Sequence, residues 1–199
     1  MTEKQIEKIK LSIKKHRNAI TAEKRKFGGF DDSYGRRYYI SDLYMRIADY
    51  KGAITYKRWF DKNFPDDIGG PLLSFNWAVA YYELGLITET KIYTIDTAFQ
   101  NVYLHQLLLD KKVTPFDMYE HGYDMLEFAQ SLIKHCKKVM TQNYRDWLLL
   151  FIDLDEYKEP VNRIIQLNKL LKKENNRDKR IDLLNNIRNL EKLNKKFKK

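Results

Sequence analysis

The chain has 199 residues, 43% apolar, 32% charged and 14% aromatic, with a formal net charge of +10. Fourteen Tyr and ten Phe are too many aromatics for a disordered chain, so one packed domain, or one with a helical appendage, is expected. A single cysteine, Cys136, excludes a disulfide framework and a thiolate metal cluster, and the opening MTEKQIEKIK has neither the apolar core nor the cleavage site of a signal peptide.

The charge is unevenly placed. Residues 1–40 hold 11 basic and 5 acidic side chains, net +6; residues 161–199 hold 13 and 4, net +9; the middle carries net −5. Two basic ends on a mildly acidic body suit an anionic partner, or a Lys-rich solvated helix surface. The longest apolar run, Trp147 to Ile152, is six residues, too short to cross a bilayer. These features together predict a cytoplasmic protein with no membrane partner.

Gly and Pro are few and punctuate otherwise continuous helical periodicity, and no strand-type alternation stands out, so the chain reads as all-α. The first helix spans Thr2 to Lys26, with Ile6, Ile9, Ile13 and Ile20 on a narrow apolar stripe and Gly28-Gly29 as its stop. Asp31-Asp32-Ser33 supplies cap chemistry for a helix reaching Ala48. After Asp49 and Tyr50, another helix runs to Asn63, closed by Pro65. Pro71 to Leu84 and Thr88 to Gln100 form the next pair, divided by Gly85. A short apolar helix is expected over 101–110, a loop through Pro115, then helices from Tyr123 to Met140 and from Tyr144 to Asp153. Pro160 is expected to separate these from a tail of two amphipathic helices, 161–174 and 178–197. Their apolar positions are Ile164, Leu167 and Leu171, then Ile181, Leu184, Ile187, Leu190 and Phe197. The implied organisation is a basic N-terminal helix packing on or capping the body (1–30), a helical repeat domain (31–157) and a basic C-terminal hairpin or tail (158–199).

Residues 34–67 and the stretch from Pro71 share one layout of helix, very short turn and helix, with Ala48 and Gly85 aligned 37 residues apart. Ile40, Ser41, Tyr44, Ala48, Tyr50, Ala53 and Pro65 match one repeat pattern; Trp77, Ala78, Tyr81 and Gly85 match it again. Here the sequence resembles the tetratricopeptide repeat (TPR) family, over about residues 34–102. Arg37 and Lys57 depart from the pattern in the first unit, and Ile87, Thr90, Thr94 and Val102 in the second. The stretch ELGLITETKIYTIDTAFQNVYLHQLLL is also similar to the closing unit of bacterial TPR-like proteins. The resemblance implies a TPR-like α-α superhelix of stacked antiparallel helix pairs, with extra helices at both ends.

It also implies a groove lined by the first helix of each pair. The corresponding positions here are Tyr38, Asp42, Met45 and Arg46, then Phe75, Val79, Tyr82 and Glu83. The Lys and Asn clamp that chaperone-binding members use for a terminal carboxylate is absent from these places. An aromatic groove of mixed charge suits a helix or an extended peptide. The competing reading is that the protein's own terminal helix fills it, or that these aromatics are core.

The sequence carries little that points to catalysis or metal binding. His16, His105, His121 and His135 are dispersed without metal-site spacing, and His135 and Cys136 point about 100° apart on a helix. Asp153, Asp155, Glu156 and Glu159 read as solvated loop charges, Cys136 as buried and His135 as a surface residue. There is no phosphate-binding loop and no nucleophile elbow. The expectation is a non-enzymatic adaptor or scaffold without cofactor or metal, binding a protein segment or a second copy of itself. The alternative is a nucleic-acid-associated protein that uses the basic ends.

Overall fold

In a computed structural model that describes residues 1–30 and 34–196, ten α-helices and one 3-10 turn form, and no strand is present among the described residues. The chain divides into two compact units, Met1–Gly69 and Gly70–Lys199. The division falls inside the span expected to be a single repeat domain, at the glycine pair Gly69-Gly70.

The first unit opens with α1 (Glu3–Phe27). Thr2 Oγ1 accepts from the Gln5 backbone N–H, while Gln5 Oε1 accepts from the Thr2 N–H, a reciprocal cap on a helix rich in charged residues. Gly28 ends it at φ 72°. Ile13 and Ile20 are buried and Ile6 and Ile9 half-buried, which is the narrow stripe expected. That stripe lies against α2 (Arg36–Arg46). The expected Asp31-Asp32-Ser33 cap lies outside the described residues, and α2 starts from Gly35 with no side-chain cap. Asp49 starts α3 (Tyr50–Asn63) by accepting from the Gly52 N–H at 2.9 Å.

The second unit opens with α4 (Pro71–Glu83) and α5 (Ile87–Gln100). The turn between them repeats the α2–α3 turn. The N–H groups of Ile47, Ala48 and Asp49 bond to the carbonyls of Tyr44, Met45 and Tyr44; those of Leu84, Gly85 and Leu86 bond to Tyr81, Tyr82 and Tyr81, each 37 positions on. Both turns pass through a left-handed residue, Ala48 at φ 53° and Gly85 at φ 74°. Glycine adopts this conformation freely, whereas alanine is strained by about 1 kcal/mol. The rings of Tyr44 and Tyr56 lie 6.1 Å apart and those of Tyr81 and Tyr93 lie 5.4 Å apart, again at the same offset. Ala53 and Thr90, where the second helix meets the first, are both fully buried.

The expected 101–110 helix is shorter, α6 (Leu104–Leu108). Asn101 is the reason: it is extended at φ −157°, and its Oδ1 accepts from the N–H groups of Tyr103 and Leu104, so it ends one helix and begins the next. After a 3-10 turn (Gly122–Asp124) come α7 (Leu126–Val139) and α8 (Gln142–Phe151), the latter capped by Thr141. Pro160 does not separate body from tail. It lies inside α9 (Asp155–Lys173), whose buried residues Tyr157, Val161, Ile164 and Ile165 keep helical spacing straight through it. Their shared burial outweighs the one backbone hydrogen bond that proline removes. Of the four acidic residues expected in a loop, Asp155 and Glu156 therefore sit in the first turn of α9, where the helix dipole favours them, Glu159 lies one turn further in, and Asp153 stays in the turn before the helix.

Finally α10 (Arg177–Lys196) folds back on α9. Arg180 Nη1 donates to the carbonyls of Leu171 and Glu174 at the hairpin. Asn194 Nδ2 donates to the Ile92 carbonyl and to Asp96, tying α10 to α5. Phe197 lies outside the described residues. No described helix is long and apolar enough to cross a membrane.

Candidate functional site

The four positions expected from the first repeat lie along α2, in the first unit. Tyr38 reaches solvent, but its hydroxyl is engaged: it donates to the Asp67 carboxylate, 2.8 Å from Oδ2, and accepts from Arg37 Nη2. Burial of the phenol, and then its bond to Asp67, raise its pKa above the ordinary tyrosine value. Arg37 Nε lies 2.7 Å from the same carboxylate, and its guanidinium stacks on the rings of Tyr38 and Phe64. Asp67 thus holds Tyr38, Arg37 and the Gly69 N–H together. Asp42 is half-buried, and Arg46 is exposed in the last turn of α2. Met45 is buried and belongs to the core.

The chain's own α1 runs over α2. Arg17 donates to the Tyr44 hydroxyl, His16 meets the Tyr39 ring edge-on at 5.3 Å, and Arg36 pairs with Glu23 at 2.5 Å. A peptide bound along α2 would have to share this face with α1.

The four positions of the second repeat lie on α4, in the second unit. Phe75 and Val79 are fully buried, which corrects their assignment to a partner-facing surface. Phe75 packs edge-on against Tyr144 of α8 at 5.9 Å. Tyr82 is half-buried between Tyr144 and Trp147, each 5.5 Å away. Glu83 accepts from Thr141 Oγ1 at 2.5 Å. Helix α8 therefore covers the face that an open groove would offer. The physical reason is visible in PLLSFNWAVAYYE, which has apolar residues on every side; a helix of that kind buries itself all round.

Sequence reasoning missed the polar groups deep in the second unit. His105 is fully buried, its Nδ1 2.9 Å from the Tyr157 hydroxyl, and burial lowers its pKa to about 3, so it is neutral. Burial also raises the Tyr157 phenol. Tyr144 shares a hydrogen bond with Thr94 across 50 positions of the chain. Tyr103 bonds to Glu120 and accepts from the Phe116 N–H at 3.0 Å. Burial pushes Asp124 up to about 6 and the Cys136 thiol up to about 12. The placement of His105 inside VYLHQLLL was the available signal, since a polar residue in an apolar run is a candidate for a buried bond. Cys136 is buried as expected, while His135 is half-buried. Among the described residues, no group of three or more His, Cys, Asp or Glu is arranged to hold a metal ion. No protein-family model, curated protein or solved structure matches the chain.

Proposed function

We propose that the chain is a non-enzymatic interaction module of TPR-like helix pairs, acting as an adaptor or scaffold for a protein segment. The observation that carries this reading is the repetition at an offset of 37. Two helix pairs share one turn, one left-handed residue at the same place and one tyrosine pair. Units of this kind cannot bury their apolar faces alone and are the building blocks of binding scaffolds. Because α1 and α8 cover much of α2 and α4, recognition passes through what stays outside, foremost Arg46 with the edge of Tyr38.

The test is a pull-down from native lysate with the full chain, at two salt concentrations, with and without nuclease, beside Arg46→Glu. Arg46 is exposed, so the variant keeps the fold. A defined protein retained at high salt after nuclease, and lost with the variant, sustains the reading. A second reading rests on the exposure of Lys4, Lys8, Lys14, Lys15, Arg25 and Lys26 along α1. It makes the protein a nucleic-acid binder whose affinity falls steeply with salt, and nuclease-sensitive, salt-labile material alone would decide for it.

A further inference from the structure

The second unit contains a cavity of about 440 Å³ between α6, α9 and the segment after α6. That volume lies in the range of small-molecule sites, roughly 300–1,000 Å³. Its floor is apolar, formed by Val102, Val161 and Ile165. Tyr157 and Phe116 form aromatic walls, with Phe116 stacked on Tyr103 at 5.7 Å. Its polar lining is Gln106, Lys112, Thr114 and Asn162, together with the charged pair Asp153 and Lys158.

What separates this cavity from its neighbour is how the polar groups are used. A cavity of about 430 Å³ between α5, α9 and α10 is also apolar, but its Lys91 is paired with Glu156 at 2.6 Å and its Asn194 holds α10 to α5. Those groups serve the fold. Around the first cavity, the side chains of Gln106, Lys112, Thr114 and Asn162 make no hydrogen bond to another described residue. Lys158 at the same rim is paired with Asp153 at 3.4 Å, which leaves Lys112 as the cation available to a ligand.

The segment that carries Lys112 and Thr114 is itself unusual. Residues 109–121 have no regular structure, a long loop for a packed unit and of a kind that commonly serves binding. Its second half is fastened. The Phe116 N–H bonds to the Tyr103 hydroxyl, the Tyr119 N–H to the Asn168 carbonyl and Asp117 to Lys172, and Met118 is buried. Residues 112–115, by contrast, make no hydrogen bond to another described residue.

We propose that this cavity binds a small amphipathic carboxylate. The apolar body lies on Val102, Val161 and Ile165, the carboxylate meets the Lys112 ammonium, and the Gln106 and Asn162 amides supply further donors. A neutral ligand gains the floor without the ion pair, and a purely polar anion gains the ion pair without the floor, so both bind more weakly than an amphiphile.

The test is a titration of the ¹⁵N-labelled full chain with decanoate and with its neutral counterpart decanol, repeated on Lys112→Gln and on Asn162→Trp. Both positions are exposed, so both variants keep the fold. Saturable shifts should centre on residues 102–116 and 157–165. Lys112→Gln should weaken decanoate about fivefold, the worth of one exposed ion pair, and leave decanol unchanged. Asn162→Trp narrows the mouth and should weaken both. Three results would each overturn the proposal: no saturable binding of decanoate, shifts that centre on α10 and the start of α5, or equal affinity of decanoate for the native chain and Lys112→Gln.

Discussion

Asn101 joins three parts of the second unit, and its removal can be reasoned atom by atom. The residue is 1% exposed. Its Nδ2 donates to the carbonyls of Tyr123 and Met125, at 2.7 and 3.0 Å, and its Oδ1 accepts from the N–H groups of Tyr103 and Leu104, at 3.0 and 3.1 Å. Both donors and both acceptor positions of the amide are used. In Asn101→Ala, the two carbonyls lie partly buried and recover water; of the two buried N–H groups, that of Tyr103 stays unmet, while that of Leu104 keeps only a long bond to the Asn101 carbonyl at 3.5 Å. At about 1–3 kcal/mol for one unmet group, with a smaller loss for the weakened one, the cost is roughly 2–3 kcal/mol, a large share of a domain's ordinary stability. Asn101→Asp keeps the acceptors but turns a carboxylate toward two carbonyls. It should therefore be about as damaging at pH 7 and milder at pH 4, where a protonated carboxyl donates to one of them. Urea unfolding at both pH values, analysed with a common slope, measures this, and amide exchange at Leu104 localises it. A loss below about 1 kcal/mol for Asn101→Ala would refute the claim that these four bonds carry the corner.

Asp67→Ala should cost the first unit roughly 1–2 kcal/mol in urea unfolding, because it removes the acceptor of the part-buried Arg37 guanidinium and Gly69 N–H, while the exposed Tyr38 hydroxyl recovers water; Tyr38→Phe should cost less than about 1 kcal/mol, and the two should not add. Gly52→Ala would set a Cβ 2.6 Å from the ring of buried Tyr44 and crowd the Asp49 cap, so the melting temperature should fall although alanine is the better helix former by about 1 kcal/mol. Acid behaviour has two opposed parts. His105 is held at about 3 against 6.5 when unfolded, so the unfolded chain binds the extra proton in that window and stability falls as pH drops through it. Asp124 is held at about 6 against 3.8, so the folded chain binds the extra proton and stability rises as pH drops from 6 toward 3.8. Asp124→Asn should therefore steepen the acid loss between pH 6 and 4 by roughly 1 kcal/mol per pH unit, after discounting for its part exposure; an unchanged slope in urea midpoints would contradict the burial of this carboxyl.

What could be read ahead of the structure divides by the range of the interaction. The turn at Ala48 and Gly85 was legible because helix, stop and restart are decided within a few residues, and the backbone bonds there repeat one for one. The stop at Gly28 and the buried stripe of Ile13 and Ile20 were legible for the same reason. Pro160 was misread where a local rule met a longer-range one: proline argues against continuing a helix, but the burial of Tyr157, Val161 and Ile164 argues for it and is worth more. The groove positions failed in a third way. Assigning Phe75, Val79 and Tyr82 to a surface required knowing what covers α4. That cover is Tyr144 and Trp147, far along the chain, with Tyr144 fixed by a hydroxyl bond to Thr94. A repeat pattern specifies which face of a helix meets its own partner and is silent about what the rest of the chain lays on the other face. In α4, with no polar side left to face water, something had to cover it, and this was the part of the answer that the residues of α4 already contained.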